Sequence, residues 1–213
     1  MFGCSFYNGV MKIVIVICTL FVIGSLFGYI LEVLYRRIFS RHKWMNPGFL
    51  LGPYLPIYGI GVVVLYAISN LPLPIPYDWL IIIIKIIMIG VCMTLIEFVI
   101  GIICLKGFKI RLWDYSKHKF NVYGVICPLY SFFWLIIGCL YYFLINPFLI
   151  DAITFISDNL IYSFFIGIVI GMMVVDLAYA LHLATRVMDL KHKETIRFDE
   201  WRAYRKKRKT LNL

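Results

Sequence analysis

Long apolar runs, separated by short segments rich in charge or in Pro and Gly, account for most of this chain. Read in windows of about 19 residues, the runs cover residues 12–35, 49–69, 79–105, 125–144 and 160–184. Each meets the roughly 20 residues a helix needs to cross about 30 Å of hydrocarbon. The pattern predicts an all-α fold, a polytopic membrane helical bundle of five transmembrane helices. Residues 1–11 read as a short external N-terminus, 12–185 as the transmembrane domain and 186–213 as a basic cytoplasmic tail. The first run is about twice as long as a signal-peptide core and no A-x-A-like cleavage site follows it, so an uncleaved helix is expected.

The polar interruptions are few and placed alike. Glu32, Glu97 and Asp176 each lie near the same end of an apolar run. A carboxylate at the centre of a spanning helix costs roughly 2.5–3.5 kcal/mol on insertion scales, so each needs a partner or a use.

Composition agrees with the membrane reading: 62% of residues are hydrophobic and only 15% charged, against about half and a quarter in soluble domains. The net charge of +10 is unevenly spread. Arg36, Arg37, Arg41 and Lys43 follow the first run, and Lys106, Lys109, Arg111, Lys117 and Lys119 follow the third. Ten more basic residues lie between Arg186 and Lys209, which brings 19 of the 21 to one side. The positive-inside rule makes that side cytoplasmic, N-terminus out and C-terminus in, in a multi-pass membrane protein. The excess charge is then a topology signal, and nucleic acid is not an expected partner. Six scattered cysteines, five of them inside the runs, offer no C-x-x-C pair or His cluster. They read as small core residues, and no metal or cofactor site is expected.

Runs one to four look like two copies of one unit: an acid-bearing helix, a basic loop, then a helix opening with Gly and Pro. Gly24, Gly28 and Glu32 form one i, i+4 row, and Gly90, Thr94, Glu97 and Gly101 form another. Small residues let helices approach closely in lipid, so both glutamates are expected to face neighbouring helices. Ser163, Gly167 and Gly171 make a small-xxx-small row on the fifth helix, a candidate face for a homo-oligomer. Asp176 lies off that row and is expected to face a cavity. Arg36, one turn after Glu32, is placed to pair with it. Lys85 is expected to snorkel to the outer interface. Of the three acids, Glu97 and Asp176 are left as the main binding candidates.

Two loop stretches are more specific than composition requires. One runs Asn46-Pro47-Gly48-Phe49-Leu50-Leu51-Gly52-Pro53-Tyr54-Leu55-Pro56-Ile57-Tyr58-Gly59. Its Pro and Gly density opposes a regular helix start, which suits a re-entrant or kinked entry to the second span. The other is Trp113-Asp114-Tyr115-Ser116 with Phe120-Asn121 and Gly124-Val125-Ile126-Cys127. Its Trp and Tyr favour the headgroup level, and Asp114 can accept hydrogen bonds from its own loop.

Together these stretches resemble the bacterial type IV ABC-transporter permease family (CmpB-like), with segments close to N-R-G-F-L-x-G-P-x-x-P-I-Y-G and W-D-Y-S…F-N…G-R-I-C-L. The resemblance runs from about residue 28 to 134 and singles out Asn46, Gly48, Gly52, Pro53, Pro56, Tyr58, Trp113, Asp114, Tyr115, Ser116 and Asn121. It implies a permease-like subunit for an unknown substrate. No G-x-x-x-x-G-K-[ST] phosphate loop occurs, so a separate cytoplasmic ATPase subunit is the implied partner. The family's arginines are replaced here by Pro47 and Val125, so no role of theirs carries over.

The tail ends in Arg205-Lys206-Lys207-Arg208-Lys209, where each charge adds about 1 kcal/mol of attraction to anionic lipid headgroups. Phe198, Trp201 and Tyr204 suit an interfacial helix. Two other classes stay open: a membrane-embedded enzyme acting on lipid-linked substrates, with Glu97, Asp176 and Asp114 as acid–base groups, and a non-catalytic scaffold or sensor. No nucleophile–base pair is recognisable, so no catalytic residue is assigned.

Overall fold

The computed structural model describes residues 2–39, 48, 50–109, 111–159 and 161–182. Asn46, Pro47 and the tail lie outside them. The first run forms one 38-residue helix, α1 (Phe2–Phe39), so the segment read as an external N-terminus continues the helix. α2 is Pro56–Ser69, α3 is Asp78–Ile102 and α4 is Pro128–Leu140. A π turn, Tyr141–Ile145, joins α4 to α5 (Asn146–Asp158), and α6 is Ile161–His182. Among the described residues there is no strand, only an isolated bridge between Val122 and Ile126. Among the described residues, four helical stretches are long and apolar enough to span: Gly9–Ile38, Asp78–Gly107, Pro128–Ser157 and Ile161–His182.

The irregular start read from the Pro and Gly density is present: the second span is not a continuous helix from residue 49. Its helix starts at Pro56, where the missing N–H costs nothing at N1, and its 14 residues rise only about 21 Å. The Pro/Gly stretch before it is irregular and supplies the rest of that layer. One expectation is corrected: the segment 146–159, which lies between the fourth and fifth apolar runs and so reads as an external loop, is helical over Asn146–Asp158. Pro147 removes a helical donor, but the π turn absorbs the mismatch: the Asn146 N–H reaches back five residues to the Tyr141 carbonyl.

The helices pair as the two units read from the pattern, α1 with α2 and α3 with α4, while α5 packs back on α1. Both small-residue rows lie in these contacts. Gly24 and Gly28 meet Val62 and Tyr58 of α2, and Gly90 meets Leu135 of α4. One core cluster joins Leu65 and Ile68 of α2 to Ile89 and Met93 of α3 and to Tyr141. A second joins Leu50 and Tyr54 to Met173 and Ala180 of α6, with Phe21 and Leu26 of α1 alongside.

Gly28 is required by close approach, since a Cβ there would fall onto the Tyr58 ring. Gly167, on the small row of α6, meets nothing within 4 Å. The same substitution therefore has opposite signs. Gly28→Ala separates α1 from α2 and costs about 1–3 kcal/mol. Gly167→Ala gains up to about 1 kcal/mol of helix propensity. Melting temperatures of the two variants check this.

Candidate functional site

All three acids lie at the end of their helices nearest the basic loops, and each holds a different element. Glu32 on α1 accepts from Arg36 Nε at 2.9 Å and from the Tyr58 hydroxyl at 3.0 Å. The expected i, i+4 ion pair is present, and the second oxygen fastens the start of α2. Glu97, 7% exposed, accepts from Tyr115 Oη at 2.9 Å and from Trp134 Nε1 at 3.0 Å. It thus ties α3 to α4 and to the loop after α3. Asp176 accepts from the backbone N–H groups of Leu51 (3.1 Å) and Gly52 (2.8 Å) and from Tyr54 Oη (2.8 Å). A carboxylate on the last helix therefore holds the irregular entry to α2, some 125 residues earlier in the chain.

Glu97 and Asp176, the two main candidates, do not share a partner. Glu97 lies instead within electrostatic range of Tyr58, the partner of Glu32. Beside Asp176 is an open groove of about 590 Å³, lined by Leu51, Gly171, Met172, Val175 and Tyr179 as well as the acid. Among the described residues no cation pairs with Asp176.

The entry loop explains its own composition. Tyr54 N–H donates to the Gly52 carbonyl at 2.9 Å, and Leu55 N–H donates to the Ser25 carbonyl of α1 at 2.9 Å. Pro53 fixes the backbone between Gly52 and Tyr54, and Pro56 opens the helix.

The second loop folds on its own side chains. Trp113 Nε1 donates to the Val125 carbonyl at 2.7 Å. Asp114 accepts from the Ser116 hydroxyl, from the Ser116 N–H at 3.0 Å and from Arg111 at 2.6 Å. These bonds, led by Ser116, hold its carboxyl below the usual carboxylate range although it is exposed. Asn121 Nδ2 donates to the His118 carbonyl at 2.8 Å and Asn121 Oδ1 accepts from Gly124 N–H at 3.0 Å. Gly124 has φ +68, and a Cβ there would strike the Ser116 hydroxyl, so the turn needs glycine. Tyr115 stacks on Tyr130 with centroids 4.1 Å apart. Burial and then Glu97 raise its phenol well above the ordinary range, so it remains a donor. Val125 is buried against Gly101 of α3.

Phe120 was read only as part of a motif, yet it stands out in space. It is 84% exposed at φ +57, a conformation that non-glycine residues hold only when their surroundings enforce it. Its neighbour Asn121, through its bonds to His118 and Gly124, supplies that constraint. Lys85 extends toward the end of α2 farthest from the basic loops, where its amine, in a residue only 7% exposed, donates to the Ser69 carbonyl at 2.6 Å.

Fold and site together define a polytopic helical membrane protein whose basic loops are bonded to carboxylates on its apolar helices. The chain belongs to the family described as "Putative ABC-transporter type IV", whose model matches residues 19–181. No match was found among curated proteins or among solved structures.

Proposed function

We propose that this protein is a permease-like subunit of an ABC-type transporter in the plasma membrane of a bacterium, and that a separate cytoplasmic ATPase docks on its basic loops. One observation carries the reading beyond family membership. Each loop motif is fastened to a spanning helix by a carboxylate, residues 51–54 to α6 through Asp176 and Tyr115 to α3 through Glu97. A push on either loop is then passed to a helix through short bonds rather than lost in a slack connection. Phe120, held outward between Lys119 and Asn121, is the apolar anchor for such a partner, and aromatic anchors carry much of the energy at interfaces. Glu32, Glu97 and Asp176 act in this reading as tie points between loop and helix.

Affinity purification from the native host tests the proposal. An ATPase subunit is expected to co-purify with the wild-type chain. Phe120→Ser combined with Lys117→Glu and Lys119→Glu reduces its recovery at least about tenfold, an ordinary loss for an anchor residue. The melting temperature stays unchanged, because these three side chains are exposed. Absence of any ATPase from the wild-type preparation, or equal recovery with the triple variant, overturns the proposal.

A further inference from the structure

On the side away from the basic loops, the C-terminus of α2 meets the first half of α3 and the π turn after α4. The polar groups gathered there lack a common acceptor. Lys85 lies about 10 Å inside the start of α3. Its ammonium donates to the Ser69 carbonyl at 2.6 Å and sits 5.8 Å from the centre of the Tyr142 ring. Capping the end of α2 offsets only about half a charge and uses one of three N–H donors. Among the described residues no carboxylate pairs with Lys85.

Two buried hydroxyls on the same elements, Ser69 Oγ of α2 and Tyr141 Oη of the π turn, have no hydrogen-bond partner among the described residues. Ser69 is the residue whose carbonyl Lys85 caps. Tyr141 is 2% exposed, precedes Tyr142 and packs in one cluster with Leu65, Ile68 and Tyr66 of α2. An amide pair at 3.1 Å, Asn70 with Asn146, borders the group. Buried polar groups are almost always partnered, and a buried ammonium in a membrane marks a site by default.

The donors themselves dictate what is missing. Two ammonium N–H groups and two hydroxyls call for several acceptor oxygens, and the uncompensated positive charge calls for an anion. A carboxylate offers two oxygens, whereas a tetrahedral oxyanion offers enough for all four donors.

We propose that Lys85, Ser69 and Tyr141 form a binding site for a phosphate-type oxyanion, entered from the outer side of the membrane. The site does not depend on the transport reading, since none of its residues touches the loops.

The test uses the full-length chain in non-ionic, phosphate-free detergent. Equilibrium dialysis with radiolabelled inorganic phosphate against a chloride background is expected to show saturable binding. Lys85→Met weakens it at least about tenfold, and Ser69→Ala and Tyr141→Phe each weaken it several-fold, as when a buried charged partner or one hydrogen bond is lost. Lys85→Arg, which keeps the charge and donors, retains binding, and this guards against a merely misfolded Lys85→Met variant. A second arm uses nanodiscs containing phosphatidylglycerol or a neutral glycolipid. If the oxyanion comes from a lipid, phosphatidylglycerol is retained by the wild type and by Lys85→Arg but not by Lys85→Met. The proposal is overturned if neither phosphate nor phosphatidylglycerol binds above the chloride or glycolipid background, or if Lys85→Met binds as the wild type does.

Discussion

Glu97→Leu is expected to lower the melting temperature by roughly 5–10 °C, which corresponds to about 3 kcal/mol for a chain of this size. The reason is what the substitution leaves behind. Trp134 Nε1 and Tyr115 Oη both donate to this carboxylate, and each orphaned donor in a buried site costs about 1–3 kcal/mol. Relief from desolvating the carboxylate works in the opposite direction, since a buried charge is itself costly. The two effects can be separated. Adding Tyr115→Phe and Trp134→Phe removes the orphans along with the acid, so the triple variant recovers most of the lost stability. Glu97→Gln, which keeps one acceptor oxygen, falls between wild type and Glu97→Leu. Thermal unfolding of the four proteins in one detergent gives the answer. A Glu97→Leu protein that melts with the wild type would show that the carboxylate holds nothing together.

The second large effect is local. Asp176→Ala removes the acceptor of two backbone N–H groups and one phenol, and with it the link between α6 and the entry to α2. Asp176 is only partly buried, so solvent screening keeps its contribution to global stability small. The change appears instead in hydrogen exchange, where the Leu51 and Gly52 amides are expected to exchange about 10- to 100-fold faster, tenfold for each 1.4 kcal/mol of lost local protection. Amides in the middle of α3 keep their rates.

Unchanged exchange at residues 51 and 52 would mean that the loop is held by its other bonds alone, such as Leu55 N–H to the Ser25 carbonyl.

Helix content, the membrane setting and the basic side were legible because each depends on local or summed properties. Apolar length sets a span, and the Lys/Arg distribution sets a side. The i, i+4 spacing of Gly24, Gly28 and Glu32 showed which face of α1 would pack, since helical periodicity is local geometry. The Glu32–Arg36 pair was readable for the same reason.

What the reading left open lies where partners come from far along the chain. Asp176 has no local cation, and its partners lie on a loop more than 120 residues away. The carbonyl at the end of α2 that receives the Lys85 amine likewise cannot be seen from its own helix. Residues 146–159 read as a loop because they fall between the fourth and fifth apolar runs, and the π turn that carries the helix through follows no simple periodicity.

By itself, then, the amino-acid sequence determined that this protein is a helical membrane bundle with acids near its basic side, two motif loops and a resemblance to type IV ABC-transporter permeases. Only the tertiary structure decided what those acids do, tying Glu32 to α2, Glu97 to α4 and the Trp113–Ser116 loop, and Asp176 to the loop before α2. The physical reason is that hydropathy and periodicity are written into each segment. A hydrogen bond across the bundle depends instead on which segments pack together, and no single segment contains that information.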